Sequence, residues 1–327
     1  MLEHGGQIVA AARRYGIPVG AWLDLSTGIN PRPWRVPRIP AAAWMRLPEE
    51  DDGLIDAARA YYGASHVLPL AGSQAAIQAL PSLFPRCRVG LAAPGYLEHA
   101  HAWNQAGHEV QALPVAALLA TAENFDVVVL IQPNNPTGDS LEPDCLLDLH
   151  ARLAARGGSL VVDEAFVDAT PERSLVRFSE RPGLIVLRSL GKFFGLAGAR
   201  VGFALAQADV LERLHERLGP WTVSGAGRYV ATKALRDEAW QTSTRARLLK
   251  DAARLADLLT RHDLPPASGT ALFQWVLTPA AAALQDFLAR RGILARRFDT
   301  PSSLRFGLPG REAEWRRLSA ALREFPE

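Results

Sequence analysis

An α/β fold, with a mainly parallel sheet flanked by helices and a smaller α+β C-terminal domain, is what the 327-residue sequence predicts. Three observations predict it. Short, continuous apolar runs recur between Arg88 and Leu187, and segments with helical spacing alternate with them, which is how parallel sheets covered on both faces are built. Beyond Gly202 the texture changes to long Arg/Ala/Leu-rich stretches followed by short strand-like pieces. The length itself exceeds the usual size of one hydrophobic core, which favours two parts.

The elements follow in order. Arg88–Ala93, Val127–Ile131, Leu160–Val162 and Leu184–Leu187 are too continuous for half-exposed strands and read as strands buried on both faces. Between them Asp144 to Arg156 reads as a helix, with Gly157-Gly158 as its stop. Sheets of this kind bind ligands at the carboxyl ends of their strands. Ala208–Leu218 and Gly227–His262 read as helical stretches, Ala280–Ala283 as helix rather than low complexity, and Leu272–Val276 and Ser303–Phe306 as short strands. No internal repeat is visible. The expected organisation is an N-terminal arm over 1–45, a large ligand-holding domain over 46–205 and a small C-terminal domain over 206–327.

Composition narrows the function classes. Thirty-six basic residues stand against 34 acidic ones, and the resulting charge of +2 comes without a like-charge run, so no nucleic-acid partner is expected. No apolar stretch approaches a membrane span, and Met1-Leu2-Glu3-His4-Gly5-Gly6 lacks the pattern of a signal peptide, so the expectation is a cytoplasmic protein without membrane contact. Cys87 and Cys145 have no paired spacing, and the eight histidines show none with metal-ligand spacing; His99 and His101 are expected on a helix surface. No metal site is expected.

The segment from Ser189-Leu190-Gly191-Lys192 through Ala199-Arg200-Val201-Gly202 carries the strongest chemical signal. The chain has three lysines against thirty-three arginines, so a lysine here stands where an arginine would be the default cation. Only the amine of a lysine can act as a nucleophile toward an aldehyde. Ser189 and Arg200 flank Lys192 and could hold a phosphate.

Four further signals precede it, each with an ordinary alternative. Gly72-Ser73-Gln74 opens a helix, where free N–H groups favour a phosphate, although such a start is commonly only a cap. Tyr96, in Pro94-Gly95-Tyr96, could stack on a planar ring or be a core or rim tyrosine. Gln132-Pro133-Asn134-Asn135-Pro136-Thr137-Gly138 is a rigid turn able to hold one amide at a fixed angle, or simply a turn. Asp163, at the end of Leu160-Val161-Val162, needs a cation or donors; a protonated pyridine nitrogen would serve, as would a helix start or an ion pair.

Taken together and in this order, Gly-Ser-Gln, Pro-Gly-Tyr, Asn-Asn-Pro-Thr-Gly, Asp-Glu-Ala-Phe and Ser-Leu-Gly-Lys through Ala-Arg-Val-Gly resemble the aspartate aminotransferase superfamily of pyridoxal-phosphate enzymes, across about residues 20 to 310. The resemblance implies the pyridoxal-phosphate transferase type I fold and the cofactor pyridoxal 5'-phosphate. It implies that Lys192 forms the Schiff base, Asp163 pairs with the pyridine nitrogen, Asn135 bonds the ring 3-oxygen and Tyr96 stacks on the ring. Gly72, Ser73, Ser189 and Arg200 would hold the cofactor phosphate, and Arg305 would receive the substrate carboxylate. A homodimer is implied too. Three positions depart from the pattern: Phe166 where many members have a tyrosine, Leu47 where relatives place a tyrosine that reaches the neighbouring subunit, and Gly191 where a hydroxyl residue is frequent.

Cofactor motifs alone do not say which bond to Cα breaks. The amino-terminal segments His4-Gly5-Gly6-Gln7 and Leu23-Asp24-Leu25-Ser26-Thr27-Gly28-Ile29-Asn30-Pro31 are similar to those of the threonine-phosphate decarboxylase family of cobalamin synthesis. That resemblance implies a carboxy-lyase acting on a small phosphorylated amino acid. Arg296, Arg297 and His4 are then candidates for the substrate phosphate, with Asn30 and the Gly28 backbone lining the cleft; each arginine could equally be surface charge, and His4 solvated. The alternatives are an aminotransferase acting on histidinol phosphate or a similar amine, and a non-catalytic binding module on the same scaffold.

Overall fold

The computed structural model describes residues 4–326. Its strands, in chain order, are β1 (Leu23–Leu25), β2 (Leu68–Leu70), β3 (Arg88–Ala92), β4 (Glu109–Leu113), β5 (Val127–Ile131), β6 (Ser159–Asp163), β7 (Leu184–Ser189), β8 (Gly202–Leu205), β9 (Ser268–Thr270), β10 (Phe273–Leu277), β11 (Ile293–Phe298) and β12 (Ser303–Gly307). They form two sheets, one in each of two compact units.

The larger unit, Pro33–Asn135 and Ser140–Ser243, holds a sheet in the order β2-β8-β7-β6-β5-β3-β4. β4, β3, β5, β6 and β7 are mutually parallel, while β8 runs antiparallel to both β7 and β2. Val127, Val129, Val161, Ile185 and Leu187 pack on one face against Ile77, Trp103 and Leu214 of flanking helices. Leu160, Val162, Leu184 and Val186 are equally buried on the other face. Burial on both sides is why these strands read as unbroken apolar runs. The helix Pro143–Ala154 starts with proline at its first turn, and Gly157 follows its end at φ 74°, a conformation glycine adopts without strain.

The smaller unit contains the chain up to Arg32, Pro136–Asp139 and everything from Thr244 onward. Its sheet has the order β1-β11-β12-β10-β9, antiparallel except for β1, which pairs in parallel with β11 through Leu23↔Ile293 and Leu25↔Ala295. This division differs from the expected one. The amino-terminal segment belongs to the C-terminal unit because Leu23 and Leu25 are buried by that pairing. Helices Ala208–Leu218 and Gly225–Leu235 group with the larger unit, since Leu211 and Leu214 pack into its core and Arg228 pairs with Asp52 at 2.6 Å. The change of texture after Gly202 marks helix content, not packing. The stretch Gly227–His262 is also two helices, Gly225–Leu235 and Glu238–Thr260. Among the described residues no helix is long and apolar enough to cross a membrane.

Candidate active site

The motif residues of the larger unit gather at one edge of its sheet. β3, β5, β6 and β7 are parallel, so Pro94-Gly95-Tyr96, Asn134-Asn135, Asp163 and Ser189–Lys192 all follow carboxyl ends on that edge. β8 begins there, paired Ser189↔Gly202, and β2 ends there, paired Leu70↔Gly202, which brings in Arg200, Gly72 and Ser73. The buried Asn134 amide donates to the Pro94 carbonyl at 2.9 Å, tying the turn after β5 to the turn after β3 and presenting the half-buried Asn135 next to it.

Asp163 is 3% exposed. Its Oδ1 accepts from the Ala165 N–H at 3.0 Å, and its Oδ2 lies 3.0 Å from His99 Nε2. His99, expected on a helix surface, is instead 1% exposed, because the helix Leu97–Gln105 turns that side chain inward toward β6. His101, on the same helix, is exposed. The Tyr96 ring meets the His99 ring edge-on with centroids 6.3 Å apart, and its hydroxyl donates to Gln74 Oε1 at 3.3 Å. Burial, with the charges of Glu98 and Asp163, pushes the Tyr96 phenol up to about 12, so it stays neutral.

The turn after β7 presents Lys192 half-buried, its Nζ 5.3 Å from the centre of the Phe166 ring. The Phe166 face therefore stands by the amine as a cation-attracting surface. Ser189 Oγ accepts from the Gly191 N–H at 3.3 Å. A Cβ on Gly191 would fall 3.2 Å from the Ala197 Cα, a close approach in a tight turn. Gly72 has φ 78°, and a Cβ there would fall 2.6 Å from Arg200 Nη2. Arg200 itself takes a left-handed backbone, φ 51°, uncommon for a residue with a side chain. Its guanidinium lies beside Gly72, at the start of the helix Ser73–Ala79, and its Nη1 donates to the Ala197 carbonyl at 3.2 Å; a cation at a helix start suits a phosphate.

In the smaller unit the register Arg296↔Arg305 places two arginines side by side on one face of the sheet. Arg305 is 6% exposed, and its Nη2 donates to the Ser26 carbonyl at 2.8 Å. Burial and the charge of Arg296 push its guanidinium down to about 10, still charged at neutral pH. Ser26 also joins the amino-terminal segment to this site: its hydroxyl donates to Asp24 at 2.5 Å and accepts from the Gly6 N–H at 2.7 Å. Gly5 is required by close approach, since a Cβ would fall 2.9 Å from the Ser26 carbonyl carbon. His4 and Arg296 line a cavity of about 190 Å³ with Arg14, Tyr15 and Ser26. Arg297 is not brought into this group. Strand side chains alternate, so it points to the opposite face, where its Nε pairs with Asp299 at 3.1 Å. Gly28 and Asn30 are buried, and the Asn30 side-chain oxygen accepts from the Arg32 N–H at 3.0 Å, closing a local turn. Among the described residues no group of three or more His, Cys, Asp or Glu side chains could hold a metal.

Comparison with known proteins bears on this arrangement. The threonine-phosphate decarboxylase of Pseudomonas aeruginosa is 60% identical over 327 residues, covering 100% of this chain and 99% of that protein. A threonine-phosphate decarboxylase from a Sinorhizobium species is 44% identical, covering 98% and 97%. The solved histidinol-phosphate aminotransferase of Sinorhizobium meliloti in complex with pyridoxal-5'-phosphate shares the fold with a TM-score of 0.80, at 20% identity and covering 99% and 98% of the two chains. The family profile described as aminotransferase class I and II matches residues 50–322, from before the Gly72 turn to beyond Arg305, and the chain belongs to that family.

Proposed function

We propose that the protein is a pyridoxal-phosphate-dependent carboxy-lyase that converts L-threonine O-3-phosphate to (R)-1-amino-2-propanol O-2-phosphate and carbon dioxide in cobalamin biosynthesis. The observation that carries this reading is the 60% identity, over the whole chain, to the P. aeruginosa threonine-phosphate decarboxylase. Bound pyridoxal phosphate supplies the electron sink for the bond that breaks. The site's donor set fits that group. Asp163 offers a buried carboxylate held by His99 and the Ala165 N–H, suited to a protonated ring nitrogen, and Asn135 an amide for the ring oxygen. Tyr96 offers a neutral ring face, Gly72, Ser73, Ser189 and Arg200 a phosphate cradle, and Lys192 the amine.

The substrate is an anion at two ends. Arg305 receives its carboxylate, while Arg296 and His4 receive its phosphate, Gly28 and Asn30 lining the same unit. Loss of carbon dioxide leaves Cα one proton short, and the Lys192 amine is the group we assign to return it. Apolar Trp44, Met45 and Leu47 are 66%, 80% and 64% exposed, which supports a homodimer that covers them. A monomeric mass in solution would remove that part. The free cysteines Cys87 and Cys145 suit the cytoplasm.

Product analysis tests the reaction. Purified protein loaded with pyridoxal phosphate should release carbon dioxide from threonine phosphate without a 2-oxo acid. Amino transfer from histidinol phosphate to 2-oxoglutarate, with no carbon dioxide from threonine phosphate, would establish the aminotransferase instead. Absence of any visible absorbance removable by borohydride would leave only a binding module.

A further inference from the structure

Behind the sheet edge that carries Asp163 and Lys192 lies a second charged cluster with no role in the chemistry above. Arg188 on β7 points away from the face of Leu187 and Ser189, as successive strand residues do, and is 2% exposed. Its Nη1 donates to Glu164 Oε2 at 3.0 Å and its Nη2 to Asp168 Oδ1 at 2.5 Å. Both carboxylates are fully buried. Glu164 also accepts from the Ser174 hydroxyl at 2.5 Å and the Leu175 N–H at 2.7 Å, and Asp168 from the Tyr61 hydroxyl at 2.9 Å. The guanidinium lies 4.7 Å from the centre of the Tyr62 ring. Burial pushes the Glu164 carboxyl above its ordinary value against the pull of Arg188. Burial also works to lower Arg188, but Asp168 and Glu164 hold it above the ordinary arginine value.

Desolvating three charges is costly, and apolar residues of similar volume often stabilise a protein as well or better. The location of this cluster suggests what it is kept for. Glu164 directly follows Asp163, and Arg188 directly precedes Ser189 and stands four residues before Lys192. The β6–β7 ladder ends at Asp163↔Leu187, and Arg188–Glu164 closes the two strands at that end. Through Tyr61 it is anchored to the helix Leu54–Tyr62, and through Asp168 and Ser174 to the segment 167–175. We propose that Arg188, Glu164 and Asp168 form a positioning cluster that sets Asp163 against the Lys192 turn at the spacing a cofactor ring requires. The proposal rests on the pyridoxal-phosphate reading.

The test compares wild type with R188K, E164Q and the milder Tyr61→Phe, which keeps all three charges. For each, the dissociation constant of pyridoxal phosphate, the visible absorbance of the bound cofactor and the melting temperature of the cofactor-free protein are measured. Loss of a charged hydrogen bond that acts on the site should weaken cofactor binding about tenfold or more in R188K and E164Q, and in the same direction but less in Tyr61→Phe, with a displaced absorbance band. A folded variant of either charge pair with wild-type affinity and absorbance overturns the proposal, even if its melting temperature falls. Should neither charge variant fold, Tyr61→Phe decides alone by the same two readings. Wild-type protein that takes up no pyridoxal phosphate removes the underlying reading, whereas variants matching a cofactor-binding wild type remove only the cluster's role.

Discussion

His99 Nε2 lies 3.0 Å from Asp163 Oδ2, and both side chains are buried. The other carboxylate oxygen, Oδ1, accepts from the Ala165 N–H at 3.0 Å. His99 thus holds Asp163 in place for the proposed role as acceptor of a ring nitrogen. His99→Ala should lower kcat for threonine phosphate by about tenfold or more, because a buried acceptor that loses a partner costs about 1–3 kcal/mol. His99→Asn should recover part of it. Steady-state kinetics on the two variants check this, and an unimpaired His99→Ala would mean that Ala165 alone orients Asp163.

Gly72 and Arg200 are interdependent. The glycine's φ of 78° strains any side chain there, and a Cβ would push aside the Arg200 guanidinium, whose Nη2 would lie 2.6 Å from it. Gly72→Ala should destabilise the protein by about 1–3 kcal/mol through backbone strain and displace the guanidinium from the cofactor-phosphate cradle. Chemical denaturation and pyridoxal-phosphate titration should both register it. A stable variant with wild-type cofactor affinity would show that Gly72 and Arg200 are not interdependent.

The parts of this architecture that were legible in sequence are those where local pattern and packing agree. Val127–Ile131 reads as a buried strand because helices cover both of its faces, and the Lys192 turn because its lysine stands out among arginines. β4 was not legible: it is an edge strand, largely exposed, and carries no apolar run. Neither was β1, three residues whose partner β11 lies far along the chain. His99 looked like a surface histidine because what buries it is Asp163, 64 residues away. The amino-terminal His-Gly-Gly was noticed only through resemblance; its physical basis is the close fit of Gly5 and Gly6 on Ser26, which in turn accepts from Arg305.

The proposed carboxylate role of Arg305 predicts that substrate affinity falls at alkaline pH. Burial, then the charge of Arg296, lowers its guanidinium to about 10 from 12.5. In the proposed role of carboxylate receptor, this cation should give an affinity that is flat at neutral pH and weakens as pH rises through about 10. Tyr96, raised to about 12, is still neutral as pH passes about 10. The linkage sign agrees: between about 10 and 12.5 the unfolded chain binds the extra proton, so the charged Arg305 costs stability below that window and the cost is relieved across it. Arg296→Ala removes one cause and should shift the alkaline limb upward without abolishing it. Dissociation constants of a non-reacting phosphorylated analogue across the alkaline range test this; an unmoved limb in Arg296→Ala would mean that the two arginines do not share a field.

Arg296 and Arg297 are adjacent in sequence but face opposite sides of β11, so their substitution should separate cleanly. Arg296 stands cross-strand from Arg305 and lines the cavity with His4, the proposed place of the substrate phosphate. Arg297 pairs with Asp299 at 3.1 Å and is 37% exposed, and such exposed pairs contribute little. Arg296→Ala should raise KM for threonine phosphate about tenfold or more, the scale of one charge-assisted hydrogen bond to phosphate, with a smaller change in kcat. Arg297→Ala should stay within about twofold on both parameters. Kinetics with threonine phosphate set against unphosphorylated threonine localise the effect, because only contacts to the phosphate vanish when it is absent. Equal KM increases in the two variants would show that the phosphate is bound from the opposite face, and would overturn the pairing of Arg296 with His4.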